Sequence, residues 1–392
     1  MTSESFHAGR TRRLGDPKFR GALYQALLVI ALAALVFWIA GNTIDNLRRA
    51  HIASGFGFLD GRAGFDISQA LIPFSSDSTY GRALVVGFLN TLLVAVTGIV
   101  ASTILGFLIG VGRLSSNWLI ARLCAVYVEI FRNIPPLLIV FFWYVGVISV
   151  LPQVRQSVVL PLSVVINNRG LSFPRPEFGG AGGYVFAGVV LAIAAGVALN
   201  WLAARRQVAT GRRFPVLPIF LALLVALPVA GLFAGGGALS FDLPKLGRFR
   251  LEGGVTVGAE FLSLFLSLSF YTAAYIAEIV RAGLSGVPHG QTEAAAALGL
   301  HPGRITRLIV APQALRIIIP PLTSQYLNLM KDSSLAIAVG YADLVSIGGT
   351  IMNQTGQAIE VIAIWAVVYL SLSLAASGFM NWFNARVALV ER

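Results

Sequence analysis

The sequence predicts an all-α, polytopic membrane protein with about eight transmembrane helices and a cytoplasmic helix–turn–helix loop. Hydrophobic residues make up 56% of the 392 and charged residues only 12%, about half the charged share of an ordinary soluble domain. The apolar residues form uninterrupted runs approaching the roughly 20 residues that a helix needs to cross a hydrocarbon core about 30 Å thick, and the mean hydropathy is +0.79. Basic residues gather in the short segments between those runs. This pattern excludes a soluble enzyme, a disulfide scaffold and a disordered chain; Cys124 is the single cysteine, so no intrachain disulfide forms. A net charge of +12, from 29 basic and 17 acidic residues, would point to nucleic acid in a soluble chain. Between apolar spans it orients helices instead, and no nucleic-acid partner is expected.

Residues 1–20 are mostly polar, carry Arg10, Arg12, Arg13, Lys18 and Arg20, and read as a cytoplasmic tail. The apolar run at 21–40 is long and no A-x-A site closes it, so it reads as an uncleaved first helix. An outer loop fills the chain up to residue 84. Further spans are expected at 85–111, 134–151, 183–203, 215–233, 261–279, 333–347 and 359–379. The seventh is short and holds Gly340 and Asp343, which suits a segment packed inside the bundle. Gly106 and Gly110 form a GxxxG on the second, a surface for close helix approach. From Asn168 onward Pro174, Pro176 and several glycines rule out a regular helix, and Gly235, Gly236 and Gly237 break the chain after the fifth span.

The basic residues test this alternation. With both termini inside, the cytoplasm receives Arg113, Arg122, Arg281, Arg304, Arg307, Arg316, Lys331, Arg386, Arg392 and the compact ARRQVATGRR loop containing Arg205, Arg206, Arg212 and Arg213. The outside receives Arg48, Arg49, Arg62 and Arg82 in a longer loop, then Arg155, Arg169, Arg175, Lys245, Arg248 and Arg250. Turning the protein over would expose the whole ARRQVATGRR loop outside, against the positive-inside rule.

A cytoplasmic segment of about 50 residues follows the sixth span, more than a connector needs. Within it Gln291–Leu298 is alanine-rich with Glu293 near its start, a strong helix former with favourable charge placement. Gly299 can end the helix, His301, Pro302 and Gly303 favour a turn, and helical character resumes over Arg304–Leu315, interrupted by Pro312 and then Pro320. An amphipathic anchor would want a broad face of bulky apolar residues. Four consecutive alanines from Ala294 make a narrow rod instead, suited to a partner's groove, although packing on the membrane surface also fits.

GQTEAAAALG, with the later prolines, resembles the EAA loop of ABC-transporter inner-membrane permeases. Glu293, Ala294, Ala295, Gly299, Ile309 and Pro312 fall at that loop's spacing, with Ala311 in place of the usual Leu. YVEIFRNIPPLL from Tyr127, AEIVRAGLSGVPHGQTEAA from Ala277, LMKDSSL from Leu329, and Asn90, Thr91 and Leu92 are similar to stretches of the polar amino-acid uptake group. Arg132-Asn133-Ile134-Pro135 replaces that group's usual Arg-Gly-Thr-Pro, and Ala282 replaces a glycine. The likeness covers roughly 85–150 and 255–385. The extra first helix and outer loop (21–84) and the inserted helices (about 183–233) look like the larger permeases of broad-specificity L-amino-acid systems. The resemblance implies a permease domain over 85–385 and a coupling loop over 283–320, with Gly290, Glu293, Ala294, Ala295, Gly299 and Pro312 at the ATPase contact. It implies a second homologous permease subunit, an ABC ATPase dimer, a periplasmic amino-acid-binding protein, polar L-amino acids as cargo and a bacterial inner-membrane location. It implies no cofactor, no metal and no catalytic residue; the chain has no G-x-x-x-x-G-K phosphate loop, so ATP hydrolysis is assigned to the partner.

Glu129, Arg132, Glu278 and Arg281 stand near span ends, where ionisable groups are costly and usually paired or functional; snorkelling or structural pairing is the plain alternative. Lys331 and Asp332 precede the expected seventh span, and Tyr275 and Ser334 stand on helices expected along the translocation path. A narrower glutamate, glutamine and aspartate permease is the nearest alternative. A secondary transporter would need midplane ion and substrate groups or an inverted repeat, and neither is evident.

The orientation is tested by cysteine labelling of intact cells in a Cys124→Ser background. Ala209→Cys should be protected and Gly180→Cys labelled; labelling of Ala209→Cys from outside would reverse the orientation.

Overall fold

In hydrocarbon every backbone N–H and C=O must find a partner within its own segment, so the apolar runs have little choice but helix. The computed structural model describes residues 17–49, 55–211, 214–247 and 251–387. Arg10, Arg12, Arg13, Arg212, Arg213, Arg248, Arg250 and Arg392 lie outside the described residues. In chain order the elements are α1 (Pro17–Arg49), α2 (Tyr80–Gly112), α3 (Trp118–Asn133) and α4 (Pro136–Phe141), which continues as a π-helix over Phe142–Ile148. Strands β1 (Val158–Leu160), β2 (Val164–Asn167), β3 (Gly170–Phe173) and β4 (Arg175–Glu177) precede α5 (Gly182–Thr210) and α6 (Val216–Ala234). Strands β5 (Ser240–Asp242), β6 (Lys245–Leu246), β7 (Leu251–Glu252) and β8 (Val255–Gly258) lead into α7 (Ala259–Ser285). The chain ends with α8 (His289–Ala297), α9 (Pro302–Ile305), α10 (Ala311–Asp332), α11 (Leu344–Thr355) and α12 (Ala358–Val387). Among the described residues seven helices are long and apolar enough to cross a membrane, or eight when the bent pair of α3 and α4 counts as one span.

Two expected spans are corrected. The segment 333–347 is no continuous helix: Ser333–Val339 is a 3₁₀ turn closed by Gly340 in the left-handed region at φ 74°, and α11 begins only at Leu344. The crossing-length helix there is α10, whose apolar stretch extends over Pro302–Val339. Pro320, expected to interrupt the helix, lies inside it together with Pro321, since packed membrane helices accommodate prolines that an isolated helix would not. Lys331 and Asp332 therefore stand at the far end of α10 from Ala311, about 30 Å along the axis at 1.5 Å per residue, and not at the start of a span beside Arg304 and Arg307. The third span, expected over 134–151, is the second limb of a pair bent by 109°. Ile134 is extended at φ −103°, ψ 129°, as a residue ahead of proline tends to be, and Pro136 opens the next helix.

The outer segments carry short strands that composition did not announce. Sheet order is β1-β2-β3-β8, all antiparallel, with Val159 opposite Val165, Ile166 opposite Leu171 and Leu171 opposite Val257; β4 pairs with β5 and β6 with β7. The tight turn between β2 and β3 is held by Asn167 Oδ1, which accepts the Arg169 N–H at 2.8 Å. Gly170 follows at φ 121°, where a Cβ would drive into the Val257 carbonyl.

The described chain divides into two compact units, one of residues 1–89 with 344–372 and the other of 90–343 with 373–392. In the first, Glu360 accepts the Gly55 N–H at 2.7 Å, Tyr80 donates to Gln354 at 2.9 Å, and Trp365 donates to the Leu344 carbonyl at 3.0 Å; α1 is exposed along its apolar length. The core of the second is built on α7, which packs against α10, α3 and α4 and buries 61% of its apolar window. Ile276 and Val280 join Ala314, Ile318, Ile319, Leu322 and Met380 in one cluster.

The sequence left the partner of Gly106 and Gly110 open; it is α7. A Cβ at Gly106 would lie 2.6 Å from Ile276 Cβ, and one at Gly110 would lie 2.7 Å from the Ala277 carbonyl oxygen. Gly110→Val should therefore destabilise the bundle by about 1–3 kcal/mol, the usual cost of overpacking. Gly378→Val on exposed α12, where a Cβ meets nothing within 4 Å, should be nearly neutral. Thermal unfolding of the two purified variants in one detergent checks the contrast.

Candidate functional site

The loop after α7 leaves that helix at Ser285, is pinned by buried Val287 and runs into α8. On α8 only Ala295 is buried; Gly290, Glu293, Ala294, Ala296 and Ala297 are exposed, and Leu298 beyond it is 81% exposed. The rod is thus fastened to the body at one alanine and bare elsewhere. Its end is a Schellman cap: Leu300 N–H donates to the Ala295 carbonyl at 3.2 Å and Gly299 N–H to the Ala296 carbonyl at 2.9 Å, with Gly299 left-handed at φ 75°, the geometry glycine tolerates best. A Cβ at Gly299 would meet nothing within 4 Å. His301 Nδ1 accepts the Gly303 N–H at 3.3 Å and caps α9, with Pro302 at its first position. A π-helical turn, Thr306–Val310, then leads into α10 near Pro312. Gly290, Glu293, Ala294, Ala295 and Gly299 therefore share one short helix and its cap, while half-buried Pro312 belongs to the next helix.

Glu278 and Arg281 meet one turn apart on α7. Arg281 Nη2 contacts Glu278 Oε1 at 2.5 Å, and Arg113, just past the end of α2, grips Glu278 Oε2. The three side chains are largely sheltered, with 18–35% of their surface exposed. One carboxylate thus pairs with two guanidiniums, leaving the triad a net positive charge, and ties the end of α2 to α7. Arg113 was read from sequence as a topology marker only. Its partnership depends on the close approach at Gly106 and Gly110.

A second group converges at the break between α3 and α4. The Arg132 guanidinium lies 5.4 Å from the Tyr275 ring centroid, and the Tyr275 hydroxyl reaches the Arg132 carbonyl at 3.5 Å, the limit of a hydrogen bond. One turn back on α7, Tyr271 and Tyr275 share a hydrogen bond at 3.2 Å, and the Asp332 carboxylate acts electrostatically on Tyr271. Tyr127 donates to the Phe270 carbonyl at 2.6 Å and fixes α3 against α7. Arg132 thus stands over Tyr275, which is bonded to Tyr271, a residue that sequence reasoning missed although its i,i+4 spacing to Tyr275 puts both on one helix face. Exposed Glu129 stands one turn before Arg132, and its carbonyl accepts from Asn133 at 2.7 Å. Lys331 is exposed, and Ser334 spends its hydroxyl on the Lys331 carbonyl at 2.8 Å.

Comparison with known proteins gives consistent matches. The family described as "Binding-protein-dependent transport system inner membrane component" matches residues 98–389. The chain is 63% identical over 377 residues to the general L-amino acid transport system permease protein AapQ of Rhizobium johnstonii, covering 96% of this chain and 94% of that protein. It is 49% identical over 379 residues to the putative amino-acid ABC transporter permease protein YhdX of Escherichia coli, covering 96% of each. It is 41% identical over 417 residues to the glutamate/glutamine/aspartate/asparagine transport system permease protein BztB of Rhodobacter capsulatus, again covering 96% of each. Such near end-to-end matches include α1 and the α5–α6 pair, which are therefore shared with these relatives.

The charge triad predicts a measurable coupling. Glu278→Gln should leave Arg113 and Arg281 uncompensated and lower stability, while Arg113→Met should cost much less once Glu278 is already Gln. A double-mutant cycle on thermal unfolding should return a coupling of about 0.5–3 kcal/mol; strict additivity would mean that the triad contributes no pairing energy.

Proposed function

The chain belongs to the family of binding-protein-dependent transport system inner membrane components, a multi-pass permease of an ABC-type importer and not an enzyme, and from that premise we propose that it carries polar L-amino acids inward as one of two homologous permease subunits. An ABC ATPase dimer beneath it supplies the energy and a periplasmic binding protein delivers the cargo. Greater identity to a general L-amino-acid permease, 63%, than to a glutamate/glutamine/aspartate/asparagine permease, 41%, supports a broad range over a narrow one.

The observation that carries the coupling reading is α8 itself: a slim alanine rod, anchored at Ala295 alone, with Gly290, Glu293 and Ala294 presented outward. A groove on an ATPase can enclose such a rod without meeting bulky side chains, and the open space at Gly299 lets the partner surface come close to the cap. When ATP draws the ATPases together, α8 moves with them. It hands the motion to α7 through the short link before Pro288 and to α10 through the capped turn and Pro312. These two helices are keyed together at Gly283, where a Cβ would strike Ile318, so they respond as a pair. They also carry the groups proposed for the path. An amino acid presents one carboxylate and one ammonium, and around the Tyr271–Tyr275 pair Arg132 and Asp332 offer a charge of each complementary sign. Glu129, Lys331 and Ser334 lie at the margins of that group, while Glu278, braced by Arg281, holds α7 to Arg113 just past α2 during the switch.

Gly299→Leu tests this because the left-handed backbone itself costs only about 1 kcal/mol for a side chain and the added bulk meets nothing in the chain's own fold. The variant should insert at near-normal level. Gly299→Leu, and separately Glu293→Lys, should abolish uptake of radiolabelled glutamate and weaken co-purification of the ATPase, with the binding protein's affinity for its amino acid unchanged. Full uptake with the ATPase retained would reduce the loop to surface packing.

A further inference from the structure

The paired helices α5 and α6 have a use that their role in spanning the membrane does not require. They pack principally on one another through glycines: a Cβ at Gly188 would sit 2.6 Å from the Leu227 carbonyl oxygen, and those at Gly196 and Gly231 would strike Phe220 and the Tyr184 carbonyl. Such contacts align two membrane helices closely. Their outer faces, including Val190, Val197, Leu221 and Val225, are apolar and exposed, as suits lipid.

The corner where they meet is different. The apolar face of α5 runs to Leu202 and is followed by Arg205 and Arg206, and no acidic residue occurs between Glu177 and Asp242. The Arg205 guanidinium lies 3.6 Å from the centroid of the Trp201 ring, and that of Arg206 lies 5.7 Å from the centroid of Phe214. Among the described residues neither arginine has a carboxylate within ion-pair distance. Beside them is a cleft of about 210 Å³ lined by Leu199, Leu202, Ala203, Arg206 and Phe214. Charge for topology needs neither aromatic shelves nor a cleft. Guanidiniums placed over rings can still offer N–H groups to phosphate oxygens, and the apolar wall continues toward the hydrocarbon. The positive-inside reading puts this corner at the anionic cytoplasmic leaflet.

We propose that the α5–α6 corner is a binding site for an anionic phospholipid, with Arg205 and Arg206 on the headgroup phosphate and the Leu199–Leu202–Ala203 wall against the start of the acyl chain. The lipid would brace the connected end of a hairpin whose two helices pack principally on each other.

Native mass spectrometry of the full chain, released from detergent containing either phosphatidylglycerol or phosphatidylcholine with identical acyl chains, tests this. The unaltered protein should retain phosphatidylglycerol at least roughly tenfold better than phosphatidylcholine. Arg205→Gln with Arg206→Gln should remove that preference. Ala203→Trp, which fills the cleft and keeps both arginines, should weaken retention several-fold. Equal retention of the two lipids, or no effect of either variant, would overturn the proposal. So would displacement of phosphatidylglycerol by millimolar inorganic phosphate, which would mean a site for the free anion.

Discussion

In a bilayer, apolar side chains gain nothing by leaving lipid for one another, so helices associate only as closely as their backbones and small side chains allow. In the second unit that allowance is concentrated on α7. Buried Ser263, Ser267, Ser269, Thr272, Ala273, Ala274 and Ala277 keep it slim, Gly106 and Gly110 bring α2 onto it, and its own Gly283 admits Ile318 of α10. Two of its buried hydroxyls are satisfied locally: Ser263 donates to the Glu260 carbonyl at 2.9 Å, and Ser267 shares its hydroxyl between the Ser263 carbonyl at 2.5 Å and the Ile139 carbonyl of α4 at 3.2 Å. Serine and threonine can therefore do here what alanine does elsewhere, and in addition fasten a neighbouring helix.

That close approach makes the charge chemistry workable. Glu278 would be a costly residue beside a span if it stood alone. With α2 drawn in at Gly110, Arg113 arrives from one side while Arg281 comes from the next turn. At the other group the governing feature is a helix break. The Ile134-Pro135-Pro136 sequence bends the chain by 109° and brings Arg132 over the Tyr275 ring. The proposed docking rod, α8, is the link between α7 and α10, the helices that carry Tyr271, Tyr275 and Asp332, so in the proposed mechanism a pull on α8 would act on both.

Several of these features were readable from residues alone. Gly299 followed by His-Pro-Gly announced a helix end, and the Schellman bonds and positive φ are the local consequence of that short string. The alanine run announced α8. By contrast, a proline misled: Pro320 looked like an interruption, yet α10 runs through it and Pro321, while Pro135 and Pro136 do end a helix. Of its helix neighbours α7 packs most extensively against α10, and such packing carries a membrane helix through prolines. The missed strands have a similar cause. Val158–Leu160 and Val255–Gly258 are too short to register as periodic runs; the first becomes a strand by folding back on nearby β2, and the second because β3 pairs with it from far along the chain.

By itself the sequence determined the quantities that depend on composition and near neighbours. These are the membrane class, the number of crossings, the helix caps, and the motifs that identify the permease family, because hydropathy and capping are properties of a few adjacent residues. Only the tertiary structure decided which helix the GxxxG meets, which arginines Glu278 holds, which segment between 302 and 347 is the true crossing helix, and that Arg132 comes over Tyr275. Each of those depends on residues tens to hundreds of positions apart reaching the same place, and close packing of small side chains is what brings them there.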